Sequence, residues 1–232
     1  MSHLPPYWYK RWRIAVSLGL LGMIALALFV QTGVVDDTLQ GLGHNFLLLG
    51  SAATGIEMNT AVQTDPAHLT ASQRLVRISQ LDPAQYSSTE EYNTWAYSAC
   101  SAASMTEVFD AYGDSLRITD VLEVEYRIGE ITPSQGLLRP EGIANTAAQF
   151  GFKTNWGNSW SLDAVINTAN QGYPVIVSFP PDRYAGGHIL VVTGGNSNYV
   201  YLADSSLWNR RILSRSQFLA WWEGFAAVVT PK

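Results

Sequence analysis

The sequence of residues 100–113 is CSAASMTEVFDAYG, and the fold of this 232-residue chain is most readily inferred from it. Its apolar side chains recur at helical spacing and would form one buried face. They are Met105, Val108, Phe109 and Tyr112. Gly113 is suited to end a helix, and Ser98 is suited to cap its N-terminus. We therefore predict a helix over Cys100–Tyr112 that begins at the only cysteine of the chain.

Regular patterns continue on the C-terminal side of this helix. Weaker helical patterns cover residues 119–126, 140–150 and 161–171. After Pro174 the pattern becomes that of strands, over residues 175–179, 188–193, 199–203 and 225–229. N-terminal helices packed face to face on a C-terminal antiparallel sheet would form an α+β domain of about 150 residues.

The composition excludes several classes of protein. Apolar residues make up 47% of the chain and charged residues 14%, which excludes disorder along its whole length. The net charge of -5, without a cluster of Lys and Arg, argues against a nucleic-acid partner. One cysteine allows no internal disulfide. No Asp/Glu/His grouping has metal-ligand spacing and no glycine-rich phosphate loop follows a strand, so we expect neither a metal nor another cofactor.

Residues 14–35 form an apolar run without a charged side chain. As a helix rising about 1.5 Å per residue, this run would reach roughly 33 Å, which is enough to cross a bilayer. Aromatic and basic residues precede it, whereas Asp36 and Asp37 follow it, so the N-terminus is expected in the cytoplasm. We expect one uncleaved transmembrane helix that anchors an extracytoplasmic domain to the cell membrane. A cleaved signal peptide, which would release the domain, is the alternative.

The predicted exported part is acidic. Residues 1–35 hold three of the 14 basic residues and none of the 19 acidic ones, which leaves a charge of about -8 on the rest. Such a charge disfavours binding to nucleic acid and to acidic lipid headgroups. We divide the chain into a cytoplasmic N-terminus (1–13), a transmembrane anchor (14–35), a polar linker (36–77) and a domain (78–232).

Cys100 is a candidate nucleophile because of its position. The free N–H groups and the dipole at a helix N-terminus stabilise a thiolate. A free cysteine is more often a small buried hydrophobic residue, and the position alone leaves that interpretation open. Export favours a functional role, because a lone thiol is a liability in an oxidising compartment.

His188 and Asp204 could complete a catalytic group with Cys100. His188 opens an apolar strand after two glycines, whereas His44 and His68 fall in the linker. Asp204 ends the next strand, and an adjacent antiparallel strand can bring its carboxylate to the far nitrogen of the imidazole. Taken singly, the two residues could equally be a structural histidine and a turn-forming aspartate. The order Cys, His, Asp suits nucleophilic acyl transfer.

Three segments of the sequence resemble a known family. They are residues 100–113, residues 187–194 (GHILVVTG) and residues 201–204 (YLAD). These segments are similar to those of the bacteriocin-processing (double-glycine leader) peptidase family, which lies within the papain-like group. The resemblance covers residues 78–229 and implies a papain-like cysteine peptidase fold. It also implies that Cys100 attacks an acyl carbon, that His188 acts as base and then acid, and that Asp204 orients His188.

The resemblance further implies an oxyanion donor upstream of the cysteine. The family usually carries a Gln there, and the segment ISQLD at residues 78–82 makes Gln80 the candidate, with Asn93 as the second choice. The gap between Gln80 and Cys100 is longer than usual, and Ser101 stands where the family commonly has Gly. Both departures from the family pattern weaken the expectation of efficient proteolysis more than the expectation of the fold.

The function expected from these observations is that of a membrane-anchored, extracytoplasmic cysteine peptidase. It would cleave peptide or isopeptide bonds in a peptide or protein substrate through a covalent thioester. Transglutaminase-like acyl transfer and peptide binding on a degenerate, inactive peptidase fold are the alternatives. Residues 180–187 would form a loop that borders the cleft. A cluster of tryptophans could line a peptide groove, although such a density of aromatic residues is more typical of a core. It comprises Trp156, Trp160, Trp208, Trp221 and Trp222.

Overall fold

Helices and strands are interspersed along residues 69–232, the part of the chain that the computed structural model describes. The helices are α1 (Ala71–Arg74), α2 (Thr89–Trp95), α3 (Cys100–Tyr112), α4 (Ile118–Arg127), α5 (Glu141–Gln149), α6 (Leu162–Asn170) and α7 (Arg215–Trp221). The strands are β1 (Ile131–Thr132), β2 (Gly136–Leu137), β3 (Phe152–Gly157), β4 (Val175–Phe179), β5 (His188–Gly195), β6 (Tyr199–Ala203), β7 (Ile212–Ser214) and β8 (Ala226–Pro231). The predicted α+β class is therefore confirmed.

Helix α3 confirms the prediction made for residues 100–113. It begins at Cys100 and ends at Gly113, whose φ of 118° lies in the left-handed region that glycine adopts without strain. Three residues of its predicted apolar face, Met105, Val108 and Phe109, are fully buried. The helix therefore packs with the face that the spacing indicated.

The predicted N-terminal cap of α3 is wrong. Ala99 occupies the cap position and makes no side-chain cap hydrogen bond. The Ser98 hydroxyl donates instead to the carbonyl oxygen of Trp95 at 3.2 Å, because a tight turn connects α2 to α3 and occupies this side chain.

Six strands form one antiparallel sheet in the order β3-β8-β4-β5-β6-β7. Strands β4 and β6 have the predicted bounds, β5 extends beyond its predicted C-terminal end, and β8 begins at Ala226 and ends at Pro231 in place of the predicted 225–229. Strands β3 and β7 were not predicted, and β1 and β2 form a separate hairpin. The chain order is less simple than helices followed by a sheet, because β3 precedes α6 and α7 lies between β7 and β8.

Helices cover both faces of this sheet. Alternate residues of β4 and β5 point into two different cores, one shared with α3 and the other shared with α6 and α7. The first core contains Ile176, Ile189 and Val191, and the second contains Val175, Val177, Leu190 and Val192. Burial on both faces explains why residues 175–177 and 189–192 of these strands are continuous apolar runs in the sequence. It also places the start of α3 beside the start of β5, where the candidate site lies.

Packing against the domain begins before residue 78. Ala71 in α1 is buried, and the backbone N–H of Ser72 donates to the carbonyl oxygen of Gly172 at 3.0 Å. The Arg77 side chain donates to the carbonyl oxygen of Asp204 at 2.6 Å. Residues 71–77, which the sequence analysis placed in the linker, therefore contact the folded domain.

The predicted segments 1–13 and 14–35 and most of the predicted linker lie outside the described residues. Within residues 69–232, no helix combines the length and the apolar character needed to cross a membrane.

Candidate active site

A cleft of about 490 Å³ lies where the start of α3 meets the start of β5. Cys100 and His188 both line this cleft. The β1–β2 hairpin forms one wall, and the loop of residues 180–187 contributes to another, as its sequence indicated. Gly136 lets the hairpin approach the helix closely: its φ is 67°, and a Cβ atom there would lie 3.1 Å from the carbonyl oxygen of Ser98. The hairpin therefore lies directly against the turn that precedes Cys100.

Cys100 is the first residue of α3 and is partly exposed. Its thiol lies within hydrogen-bonding reach of the His188 imidazole. Burial alone would raise the pKa of the thiol, but the hydrogen bond and charge of His188 and the backbone N–H groups of Ile189 and Ser101 lower it below its ordinary value. The surroundings therefore favour the thiolate, which is the nucleophilic form.

His188 and Asp204 meet across neighbouring strands. Ala203, the last residue of β6, pairs with Val191 of β5, so Asp204 continues toward the end of β5 where His188 begins. The His188 Nε2 atom lies 2.8 Å from Asp204 Oδ1. Burial alone would lower the pKa of His188, but hydrogen bonds to Asp204 and Cys100, and the charges of both, raise it to about 9. The imidazole is therefore stabilised in its protonated form between an acid and a thiol.

Asp204 is only 1% exposed, and both of its carboxylate oxygens have hydrogen-bond donors. In addition to His188, Oδ1 accepts the backbone N–H of Ser206 at 2.9 Å. Oδ2 accepts the backbone N–H of Arg210 at 3.1 Å and its Nη1 at 3.2 Å. Burial alone would raise the pKa of Asp204, but the hydrogen bond and charge of His188 and the bonds from Ser206 hold it well below its ordinary range. The carboxylate is therefore ionised and fixed in orientation.

The two candidate oxyanion donors occupy different environments. Gln80 is buried, and its Nε2 donates to the carbonyl oxygen of Ala96 at 2.8 Å while its Oε1 accepts the Ser205 hydroxyl at 2.9 Å. It thus links the turn before Cys100 to the residue after Asp204, and its amide has a second N–H. Asn93 lies on α2 with an exposed side chain. Of the residues that the structure describes, the cleft lining includes neither of them.

Two buried glutamates lie close to the candidate site. Glu107 Oε1 accepts the backbone N–H of Ile78 at 2.8 Å, and Glu125 lies beside Ser101, the residue after the cysteine. Burial raises the pKa of each carboxyl to about 8, although the Ile78 N–H partly lowers that of Glu107 and the Ser101 hydroxyl partly lowers that of Glu125. Burial therefore favours the neutral form of both carboxyls, which limits negative charge beside Cys100 for Glu125 and beside His188 and Asp204 for Glu107.

Sequence reasoning did not identify Arg210, Glu107 or Glu125 as parts of the site. A signal exists for Glu107, which lies seven residues after Cys100 and hence two turns along the same helix face, among apolar neighbours. Glu125 likewise interrupts the apolar face of α4. Arg210 lies six residues after Asp204 in an irregular segment, where no local pattern marks it.

The tryptophan cluster is not uniform. Trp222 is buried, whereas Trp208 is 69% exposed, and the remaining three are half-buried. Trp208 and Trp221 lie near Arg210 rather than in the cleft lining. Within residues 69–232, no group of three or more His, Cys, Asp and Glu side chains could hold a metal ion.

Comparisons with known proteins identify the family and the fold. The model of the Peptidase_C39 like family matches residues 73–229. The peptidase domain of Streptococcus ComA, a bifunctional ABC transporter of a quorum-sensing pathway, is 21% identical with a TM-score of 0.53, over 68% of this chain and 99% of that domain. A C39-like peptidase from Bacillus anthracis is 13% identical with a TM-score of 0.50, over 71% of this chain and 98% of that one. At these identities the similarity shows the fold alone. No curated protein sequence matches the chain.

Proposed function

Because the chain belongs to the Peptidase_C39 like family, we propose that it is a cysteine peptidase that hydrolyses peptide or isopeptide bonds with Cys100, His188 and Asp204. The observation that carries the proposal is the chain of contacts from the thiol through the imidazole to the carboxylate, with the thiol open to a cleft. A structural histidine would not need an ionised, fourfold-bonded carboxylate on one side and a partly exposed thiol on the other.

In this mechanism each residue has one role. His188 uses Nε2 for Asp204, so its Nδ1 atom is the one that takes the thiol proton. The sulfur then attacks the acyl carbon, and the tetrahedral oxyanion is stabilised by N–H groups at the first turn of α3. His188 returns the proton to the leaving amine. Water, activated by the same imidazole, then hydrolyses the thioester.

Labelling of the single cysteine tests this proposal without knowledge of the substrate. In the full-length protein, purified in a mild detergent, iodoacetamide labels Cys100 alone because no other cysteine exists. We expect faster labelling at pH 6 than that of N-acetylcysteine, since the thiolate is stabilised, and we expect His188→Ala to remove this advantage. Labelling no faster than that of the free thiol would contradict the proposal and favour a peptide-binding module.

Two further measurements test peptide cleavage and identify whether water or an amine accepts the acyl group. Incubation with a defined peptide library, followed by mass spectrometry, should give cleavage products with the natural chain and none with Cys100→Ala. Added methylamine distinguishes hydrolysis from acyl transfer, because a transglutaminase-like enzyme would give mainly the methylamide.

We further propose that residues 14–35 anchor the domain to the cell membrane, with residues 1–13 in the cytoplasm and residues 36–68 leading to the extracytoplasmic domain. The support is the uncharged apolar run and the basic residues that precede it. The protein should stay with membranes after alkaline carbonate extraction and be digested by protease added from outside the cytoplasm. Release by carbonate together with a new N-terminus near residue 36 would show a cleaved signal peptide instead.

A further inference from the structure

Arg210 connects the candidate carboxylate to the wall of the cleft. Its backbone N–H and its Nη1 atom both donate to Asp204 Oδ2, at 3.1 and 3.2 Å. The other oxygen, Oδ1, is shared by His188 and the backbone N–H of Ser206. Each oxygen therefore has two partners, and the side chain of Arg210 supplies the only positive charge among those that contact Oδ2 in the described part of the chain.

Three aromatic rings surround the guanidinium of Arg210. Its Cζ atom lies 5.3 Å from the centroid of Tyr184, 5.4 Å from that of Trp208 and 5.3 Å from that of Trp221. The faces of aromatic rings attract a cation, so each of the three contacts stabilises the guanidinium in this position. The side chain is 22% exposed, so the rings both hold the guanidinium and limit its hydration.

One of these rings belongs to the loop that borders the cleft. Tyr184 lies in the loop of residues 180–187, packs edge-on against Trp221 at 5.1 Å and lies 6.2 Å from the His188 ring. The neighbouring Arg183 pairs with Glu223 at 2.5 Å and ties the same loop to the segment after α7. Arg210 therefore contacts the cleft-bordering loop and Asp204 at the same time.

We infer that Arg210 is a positioning residue, which fixes the Asp204 carboxylate and the loop of residues 180–187 in one arrangement. The inference rests on the proposed function, since it assigns to Asp204 the orientation of His188. Arg210 is not among the cleft-lining residues of the described chain, so it acts through other residues and not on the substrate.

Removal of the guanidinium leaves Oδ2 of Asp204 with one hydrogen-bond donor, the backbone N–H of residue 210. It also removes the contact between the guanidinium and Tyr184 in the loop of residues 180–187. The carboxylate then holds the imidazole less firmly, so the thiolate becomes less stable at a given pH. The other charged or titratable groups that face His188 and Asp204 are Arg77 from the opening segment, Cys100 and Glu107 from α3, and Tyr184 from the loop of residues 180–187. They remain in every variant described below.

The experiment measures the pH profile of Cys100 alkylation by iodoacetamide in the full-length protein. Arg210→Gln should lower the rate at pH 6 by at least about fivefold and move the midpoint to higher pH by about 0.7 pH unit. Arg210→Lys restores the charge and should recover most of this loss. Arg211→Gln, at the exposed neighbouring arginine, is the matched control and should stay within about twofold of the natural chain.

Two further readouts separate positioning from a merely structural role. On a peptide cleaved by the natural chain, Arg210→Gln should raise KM as well as lower kcat, because the loop and the carboxylate are released together. Trp208→Ala, at a 69% exposed position that should fold normally, loosens the guanidinium and should give a smaller shift in the same direction.

The outcomes distinguish the inference from the function on which it rests. If the natural chain is labelled rapidly and Arg210→Gln has the profile of Arg211→Gln, the positioning role is overturned and the peptidase remains. The role is also overturned if Arg210→Gln only lowers the melting temperature, or if the midpoint moves to lower pH, as loss of direct repulsion of the imidazolium would cause. If the natural chain itself is labelled no faster than a free thiol, the proposed function fails first.

Discussion

Replacement of Glu125 by glutamine should make folding stability depend less on pH. Glu125 is fully buried, neither of its carboxyl oxygens has a hydrogen bond of ordinary length in the described structure, and it faces Ser101, Cys100 and Glu130. Burial raises its pKa to about 8, against an ordinary value of 4.5. Glutamine has nearly the same shape but cannot ionise, so the variant isolates the effect of the proton.

The magnitude follows from the difference in bound protons. Between the unfolded pKa near 4.5 and the folded pKa of about 8, the folded chain holds a proton at Glu125 that the unfolded chain has released. The stabilisation is fully present below the lower pKa, and stability falls as pH rises through this window, by about 1.4 kcal/mol for each pH unit. Across the whole window the loss is on the order of 5 kcal/mol. Glu125→Gln should therefore gain stability over the natural chain steadily as pH rises.

Urea unfolding followed by tryptophan fluorescence at pH 5, 6 and 7 measures this effect. The difference in unfolding free energy between Glu125→Gln and the natural chain should grow by about 1 kcal/mol or more per pH unit. Glu123→Gln changes the same charge at an exposed position of the same helix and controls for the loss of a surface carboxylate. A difference that stays constant across pH would refute the reasoning, because Glu125 would then ionise equally in both states.

Three further predictions concern the site. Asp204→Asn should lower turnover by at least about a hundredfold, since the amide stabilises the wrong imidazole tautomer; a normal pH-rate profile would make Asp204 a turn residue. With the pKa of His188 at about 9, kcat/KM should decline above that pH, where the imidazolium that protonates the leaving amine is lost, and a limb near pH 6.5 would contradict this assignment. Gly136→Val should destabilise the hairpin by about 1–3 kcal/mol and lower turnover, because the residue has φ 67° and its Cβ would press on Ser98; unfolding curves and initial rates check both effects.

The elements that could be predicted are those whose burial leaves a local pattern. Helix α3 has an apolar face at regular spacing, and β4 is apolar at every position except Ser178, between Pro174 and Pro180. Strand β3 was missed because Lys153 and Asn155 alternate with its partly buried positions and both residue types are uncommon in strands. Its pairing with β8 supplies the stability that its sequence does not indicate.

The candidate site likewise contains residues that the sequence identified and residues that only the structure shows. The chemistry of Cys100, His188 and Asp204 is visible from residue type and from position at the ends of elements, so the three could be singled out. The role of Arg210 depends on aromatic rings from three separate segments of the chain, and no short stretch of sequence shows that these rings lie around one guanidinium. Glu125 could have been noticed as a carboxyl on an apolar helix face, but only the packed structure shows that the face adjoins the cysteine.

The two halves of the fold contribute different parts of the cleft: α3 carries the thiol, and the sheet, formed from later parts of the chain, carries the imidazole and the acid. While β5 and β6 are unpaired, during synthesis or after partial unfolding, His188 and Asp204 are not held beside the start of α3. In such a chain Cys100 has no base beside it, so its side chain remains an ordinary, weakly nucleophilic thiol. In the peptidase proposed above, catalysis would therefore require a completed sheet, and a newly made chain would be unable to cleave itself or its neighbours until then.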